Sequence, residues 1–154
     1  MKTAVFYEHI LEGAKQSGKS VAELMEKCAS WNIRGIEIGD ALLRENKEEI
    51  KELLEKNHMQ VSCSNAFYDF GYNPDAAQGK KQIDLAEEFG VSKVLIIPGE
   101  LSENEASALN ALSASKEQTD SYMFENASIQ NMVQALKELV AYGKEKNILV
   151  TLED

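Results

Sequence analysis

Short apolar runs alternate with segments whose apolar residues recur at helical spacing, and this alternation continues along the whole chain. Thr3 to Tyr7 is a brief run rich in β-formers, followed by a polar stretch that reads as a loop. Ser20 and Glu23 then form a capping box, opening a helix with Val21, Leu24, Met25, Cys28 and Trp31 at helical spacing. Gly35-Ile36-Glu37-Ile38-Gly39 reads as a second strand, and Lys47 to Asn57 as a helix burying Ile50, Leu53 and Leu54. His58 to Ser64 predicts a third strand through Met59, Val61 and Cys63. Asp75 to Phe89 predicts a helix that stops at Gly90. Val91 to Ile97 is a fourth strand, ended by Pro98-Gly99. The polar segment Leu101 to Glu125 is long for a connection and predicts a short helix around Glu103 to Ser113. A long helix from Asn126 to Lys146 carries Ile129, Met132, Val133, Leu136, Leu139, Val140 and Tyr142 on its apolar side. Ile148 to Leu152 is the fifth strand, and Glu153 and Asp154 follow it.

Strand and helix in alternation imply a parallel sheet and the α/β class. The segments Asn32 to Ile38, Gly90 to Ile97 and Lys146 to Leu152 echo one another, each running helix end, polar pair, strand. Such repetition is the habit of a βα-repeat barrel, and a complete eight-fold barrel needs about 250 residues. The expectation is therefore a single domain over 1–154: an incomplete (β/α)8 TIM barrel of about five strands and four main helices, in the order 1-2-3-4-5. A last strand with no helix behind it leaves an edge uncovered, so the chain reads as the first part of a larger barrel.

Composition adds exclusions. Hydrophobic residues make up 44% and charged residues 27%, the balance of a globular protein. Acidic residues number 26 against 16 basic, a net charge of -10. Phosphate contacts need Lys or Arg, so nucleic acid and anionic membrane are disfavoured as partners. Cys28 and Cys63 lack any CxxC spacing and read as reduced thiols of a cytoplasmic protein. Met1-Lys2-Thr3 leads straight into the first strand without the pattern of a signal peptide. No apolar run approaches the ~20 residues that cross a bilayer.

Ser20-Val21-Ala22-Glu23 through Gly35-Ile36-Glu37-Ile38, then Ala86-Glu87-Glu88-Phe89-Gly90-Val91-Ser92-Lys93-Val94 to Ile97-Pro98-Gly99, and finally Val150-Thr151-Leu152-Glu153-Asp154, resemble the xylose-isomerase-like barrel superfamily. Its members include sugar and sugar-phosphate isomerases and epimerases. The resemblance covers about the first five of the family's eight strands. It implies that Glu153 is a ligand of a divalent metal (Mn, Mg, Zn or Co) and a candidate catalytic base. The other metal ligands would come from strands six to eight, so the complete protein would hold the metal and this chain alone would hold none stably. A metal bridging two sugar oxygens acidifies the adjacent C–H, and a carboxylate can then carry the proton between carbons. The chain alone is expected to be inactive, and to form a homodimer through its open barrel edges.

Other residues fall at the strand ends where barrel chemistry occurs. His9 follows the first strand, and is either a substrate contact or a structural histidine. His58 lies on the opposite rim and reads as structural. Glu37 points opposite to Ile36 and Ile38, towards substrate or into an interior salt bridge. Asn65, Phe67 and Tyr68 follow strand three, and Gly99 and Glu100 follow strand four. An aromatic wall with amides suits a sugar, and equally suits packing between loops. Two other readings compete. Gly13-Ala14-Lys15-Gln16-Ser17-Gly18-Lys19-Ser20 fits G-x-x-x-x-G-K-[ST], the nucleotide-binding P-loop. A non-catalytic flavodoxin-like binding module would suit the length, with strand order 2-1-3-4-5.

Overall fold

The computed structural model describes residues 3–153. Asp154, the second carboxylate expected after the last strand, lies outside the described residues, as do Met1 and Lys2. Strand β1 (Ala4–Phe6) passes directly into helix α1 (Tyr7–Ser17), followed by α2 (Val21–Ser30), β2 (Gly35–Gly39), α3 (Asp40–Glu45) and α4 (Lys47–Asn57). Then come β3 (Gln60–Phe67), α5 (Ala77–Glu88), β4 (Lys93–Ile97), α6 (Glu103–Ala111), α7 (Lys116–Glu125), α8 (Ala127–Glu145) and β5 (Leu149–Leu152). The sheet is parallel throughout in the order β1-β2-β3-β4-β5, as the repeat predicts, and this order excludes the flavodoxin-like arrangement.

The helices number more than the four main ones expected, and for α1 the cause is local. The stretch that reads as a loop after β1 is α1. Its apolar residues Tyr7, Ile10, Leu11 and Ala14 keep helical spacing among many polar neighbours, and Tyr7 and Ile10 are buried. Gly13 to Ser17 is the end of this helix, its last turn closed by Gly18 N–H on the Ala14 carbonyl at 3.0 Å. Ser20 is the N-cap of α2, in a complete capping box with Glu23. A P-loop wraps phosphate with free amides between a strand and a helix. Here those amides are spent inside α1, which rules the P-loop reading out. His58 does not begin β3; it is the left-handed C-cap of α4, at φ 51.

The sheet buries one face under the helices. Ile36, Ile38, Val61, Val94 and Ile96 pack there against Ile10, Met25, Leu43, Ile50, Ile83 and Leu139. Val140, expected on the apolar side of α8, is instead 52% exposed. A bulge in β3 changes the faces of its side chains. Ile36 pairs with Val61, but Glu37 pairs with Cys63, so Ser62 is the extra residue, and its hydroxyl donates to the Ile36 carbonyl at 2.9 Å. Beyond the bulge, Ser64 turns to the helix layer and Asn65 to the open face. The fully buried Gln82 of α5 meets this turn. Its amide nitrogen donates to the Ser64 carbonyl (3.1 Å) and lies 3.2 Å from the Ser64 hydroxyl, while its oxygen accepts from the Tyr68 hydroxyl at 2.9 Å.

Helices α6 and α7 form a hairpin between β4 and α8. The Glu105 carboxylate ties it down, accepting from the Ser102 amide (2.9 Å), the Ser102 hydroxyl (2.6 Å), Ser128 (2.7 Å), Asn126 (3.0 Å) and the Tyr72 hydroxyl (3.3 Å). Hydrogen bonds from Ser102, Ser128 and Asn126 hold its carboxyl at about 2, below the usual 4.5.

Two outcomes follow from these networks. Gln82→Met keeps the volume but strips partners from the Tyr68 hydroxyl and Ser64 carbonyl, so it should cost roughly 2–4 kcal/mol in urea unfolding. A loss under about 0.5 kcal/mol would show the network to be dispensable. Because folding lowers the Glu105 pKa from 4.5 to about 2, its contribution is complete above 4.5 and fades as pH falls towards 2. A carbon-13 titration should place the Glu105 midpoint near 2, and Glu105→Gln should abolish the acid-induced shifts of the Ser102, Asn126 and Ser128 amides.

Candidate functional site

In a parallel βα sheet the strands all point one way, so their C-terminal ends form one rim. At that rim lies a cavity of about 440 Å³ lined by Phe6, Glu8, His9, Glu37, Asn65, Phe67, Leu95, Ile97 and Glu153. Strand register explains the gathering. Phe6 pairs with Glu37, Gly39 with Asn65, Asn65 with Leu95 and Phe67 with Ile97, so these side chains share the face opposite the helix-packed core. Glu153 arrives directly after β5.

Four of the six residues expected to act meet here: His9, Glu37, Asn65 and Glu153. Glu37 takes part in no salt bridge among the described residues, so the interior ion pair that its strand position also allowed is not formed there. Asn65 and Phe67 reach the cavity from within β3 rather than from the loop after it. Gly99 and Glu100 sit beyond β4 on the same rim but do not line the cavity. Tyr68 is also absent from the wall. Its ring stacks on Phe70 at 4.6 Å and its hydroxyl points to buried Gln82; burial there pushes the phenol well above its ordinary value.

Glu8 is the lining residue that the sequence reading passes over. It falls in the stretch read as a loop, whereas α1 places it in its first turn. There Glu8 accepts a hydrogen bond from the Gly39 amide at 2.9 Å, joining the start of α1 to the end of β2. Glycine at 39 leaves room for this contact: a Cβ would lie 3.2 Å from the Glu8 carboxylate, close enough to push it by a few tenths of an ångström. A carboxylate beside the first strand of a βα repeat, next to a histidine, was the available signal. His9 sits edge-on to Phe6, with ring centroids 5.5 Å apart.

The lining holds three carboxylates, an imidazole and an amide between aromatic and aliphatic walls, and no Lys or Arg. Such a wall accepts hydrogen bonds from hydroxyls and attracts cations. It does not by itself complete a metal site, because no three His, Cys, Asp or Glu side chains among the described residues are grouped to hold an ion. A larger cavity of about 520 Å³ opens at the opposite rim, where Arg34, Gln60, Ser62, Ser92 and Lys93 surround the strand starts. That rim carries stability rather than chemistry in barrels of this type. No helix among the described residues is long and apolar enough to cross a membrane.

Solved structures share this architecture. A sugar phosphate isomerase/epimerase from Parabacteroides distasonis superposes with a TM-score of 0.60 at 12% identity, covering 98% of this chain and 50% of that one. A xylose isomerase domain protein from Planctomyces limnophilus gives 0.56 at 13% identity, covering 99% and 53%. The chain thus spans about half the length of the structures it matches, as a partial barrel. No curated protein matches the sequence significantly. The family described as Xylose isomerase-like TIM barrel matches residues 25–154, and with five parallel strands in barrel order the chain belongs to that family.

Proposed function

We propose that this chain is the N-terminal portion of a cytoplasmic sugar or sugar-phosphate isomerase or epimerase. The observation that carries the reading is the convergence of Glu37, Asn65 and Glu153, with Glu8 and His9, at the C-terminal rim of a sheet of this family. Carboxylates and an amide match the hydroxyls of a sugar, while Phe6 and Phe67 offer flat apolar surfaces to its C–H faces. In this reading Glu153 is the base. It takes a proton from the carbon next to the carbonyl and returns it to the neighbouring carbon while the adjacent hydroxyl proton passes to the former carbonyl oxygen (isomerisation); inversion at the same carbon (epimerisation) needs a second acid on the opposite face, a role assigned to the complete barrel. Asn65, Glu37 and His9 orient the hydroxyls, and Glu8 holds the cavity wall through Gly39. Gly99 and Glu100, outside the lining, are assigned to the rim that an extended substrate would reach.

A divalent metal belongs to the proposal only for the complete protein, with Glu153 as this chain's ligand. A hard divalent ion takes about six oxygen ligands, and the described residues supply no such set. The chain alone is accordingly proposed to be inactive.

Glu153→Gln in the full-length protein keeps the shape and removes the charge. Turnover should fall roughly 10²–10⁴-fold, with a parallel loss of bound metal; unchanged turnover and metal content would refute the assignment. For the 154-residue chain we propose a two-fold pairing of copies. Phe6, Leu149 and Leu152 are 45%, 62% and 55% exposed on β1 and β5, whose outer edges have no strand partner among the described residues. Light scattering behind a sizing column should give about twice 17.1 kDa. A monodisperse monomer across a wide concentration range would rule the dimer out, and sugar isomerisation by that monomer would overturn the inactive-fragment reading.

A further inference from the structure

Helices α6 and α7 are the part of the chain least engaged with the core: neither contributes a buried residue. Both ends of the hairpin leave from the rim that carries the acidic cavity. The chain enters from Ile97, itself a cavity residue, and exits into the first turn of α8. Each end has a break in regular structure. On the incoming side Gly99 adopts φ 123, and a Cβ there would stand 3.0 Å from the Tyr68 carbonyl oxygen, so only glycine fits. On the outgoing side Asn126 is extended, at φ -71 and ψ 123, and separates α7 from α8.

What holds the hairpin is polar. Glu105, whose bond to Ser102 is the capping box of its own helix, accepts from Asn126 and Ser128 at the second break and from Tyr72 on the loop after β3. Leu109, Leu112 and Tyr122 are half-buried, but the end of α7 faces solvent. Among the large hydrophobic side chains left exposed, the two most exposed are Phe124 on α7, at 78%, and Phe67 on the cavity wall, at 77%. Met123, beside Phe124, is 42% exposed. Bringing these surfaces together would remove apolar area from water on both sides, at about 25 cal/mol per Å².

We propose that α6–α7 is a hinged lid: it pivots at Gly99 and Asn126, is latched open by Glu105, and closes by laying Met123 and Phe124 over Phe67 and the cavity. Closure of this kind would sequester any ligand of the cavity, so it goes beyond the isomerase proposal and stands or falls separately from it. Hinged elements of this kind come from the weakly packed end of a structure.

The test uses the whole 154-residue chain. A disulfide forms only when two Cα atoms come within about 7 Å, so a Phe67→Cys/Phe124→Cys pair reports closure. Under mild copper-phenanthroline oxidation, peptide mapping should find the 67–124 disulfide at monomer mass. It should form about tenfold faster than the bridge in a control pairing Phe67→Cys with Val140→Cys on the outer face of α8. Adding Glu105→Gln should raise the rate about threefold or more by releasing the latch. Hydrogen exchange on the unaltered chain provides a reading free of substitutions: amides of 103–125 should exchange about tenfold or more faster than those of 132–143. Failure to form the 67–124 bridge, bridges found only between chains, or hairpin protection equal to that of α8 would each overturn the lid.

Discussion

One buried amide fixes the register on which the cavity depends. Gln82 has no exposure to solvent, and an amide placed there must satisfy both its donor and its acceptor within the protein. It does so by gripping the Ser64 carbonyl and the Tyr68 hydroxyl, with the Leu95 carbonyl 3.4 Å away. Those contacts hold Ser64 towards the helices and therefore Asn65 towards the cavity. In a pleated strand a one-residue slip exchanges the two faces. Without the bulge at Ser62 and the clamp behind it, Asn65 would be driven against the core and Ser64 would face the rim. The cost of stranding a buried polar group, about 1–3 kcal/mol, exceeds what an exposed surface contact provides. The clamp therefore dominates the local register.

The same logic runs through the rim. Its carboxylates come from separate elements: Glu8 from the first turn of α1, Glu37 from β2, Glu153 from the end of β5. Parallel strands bring such dispersed residues together without any long-range sequence motif. Glu8 is held by the Gly39 amide, so one of the three negative charges is already committed to a protein donor. Glu37 and Glu153 make no such side-chain bond among the described residues and line the cavity.

The strand order, the α/β class and the positions of β2, β4 and β5 were legible because their apolar runs are short and β-rich, with β2 and β4 also bounded by Gly or Pro. Helix α1 was not: Tyr7, Ile10, Leu11 and Ala14 keep the right spacing, but Glu, Lys, Gln and Gly between them imitate a loop, and a P-loop match lay across its end. The β3 bulge was also hidden. Val61 and Cys63 share parity in the sequence and both are buried, yet they pair with Ile36 and Glu37, which face opposite ways. Of the site, His9 and Asn65 could be found from strand ends, Glu37 from the alternation within its strand, and Glu153 from the resemblance at the end of the fifth strand. Glu8, beside His9, could have been placed at the rim in the same way, but its hydrogen bond to Gly39, 31 residues away, could not. Tyr68 shows the converse: a rim position by sequence, turned inward by a buried partner.

An open face limits what these carboxylates can do. Across 4 Å, two unit charges attract by about 1 kcal/mol in water but by about 4 kcal/mol where the effective dielectric falls to 20. Glu8, His9 and Glu153 are exposed along the concave side of five strands, so a cation or a developing charge there is screened by solvent. Covering the face changes that balance without altering a single carboxylate. The complementary strands of a closed barrel would supply such a cover, and so, over the rim, would α6–α7. The exposed Phe67 marks where cover is needed, since an aromatic ring left in water on a cavity wall gains most from being buried. The role proposed for Glu153 therefore depends as much on what closes over it as on the carboxylate itself.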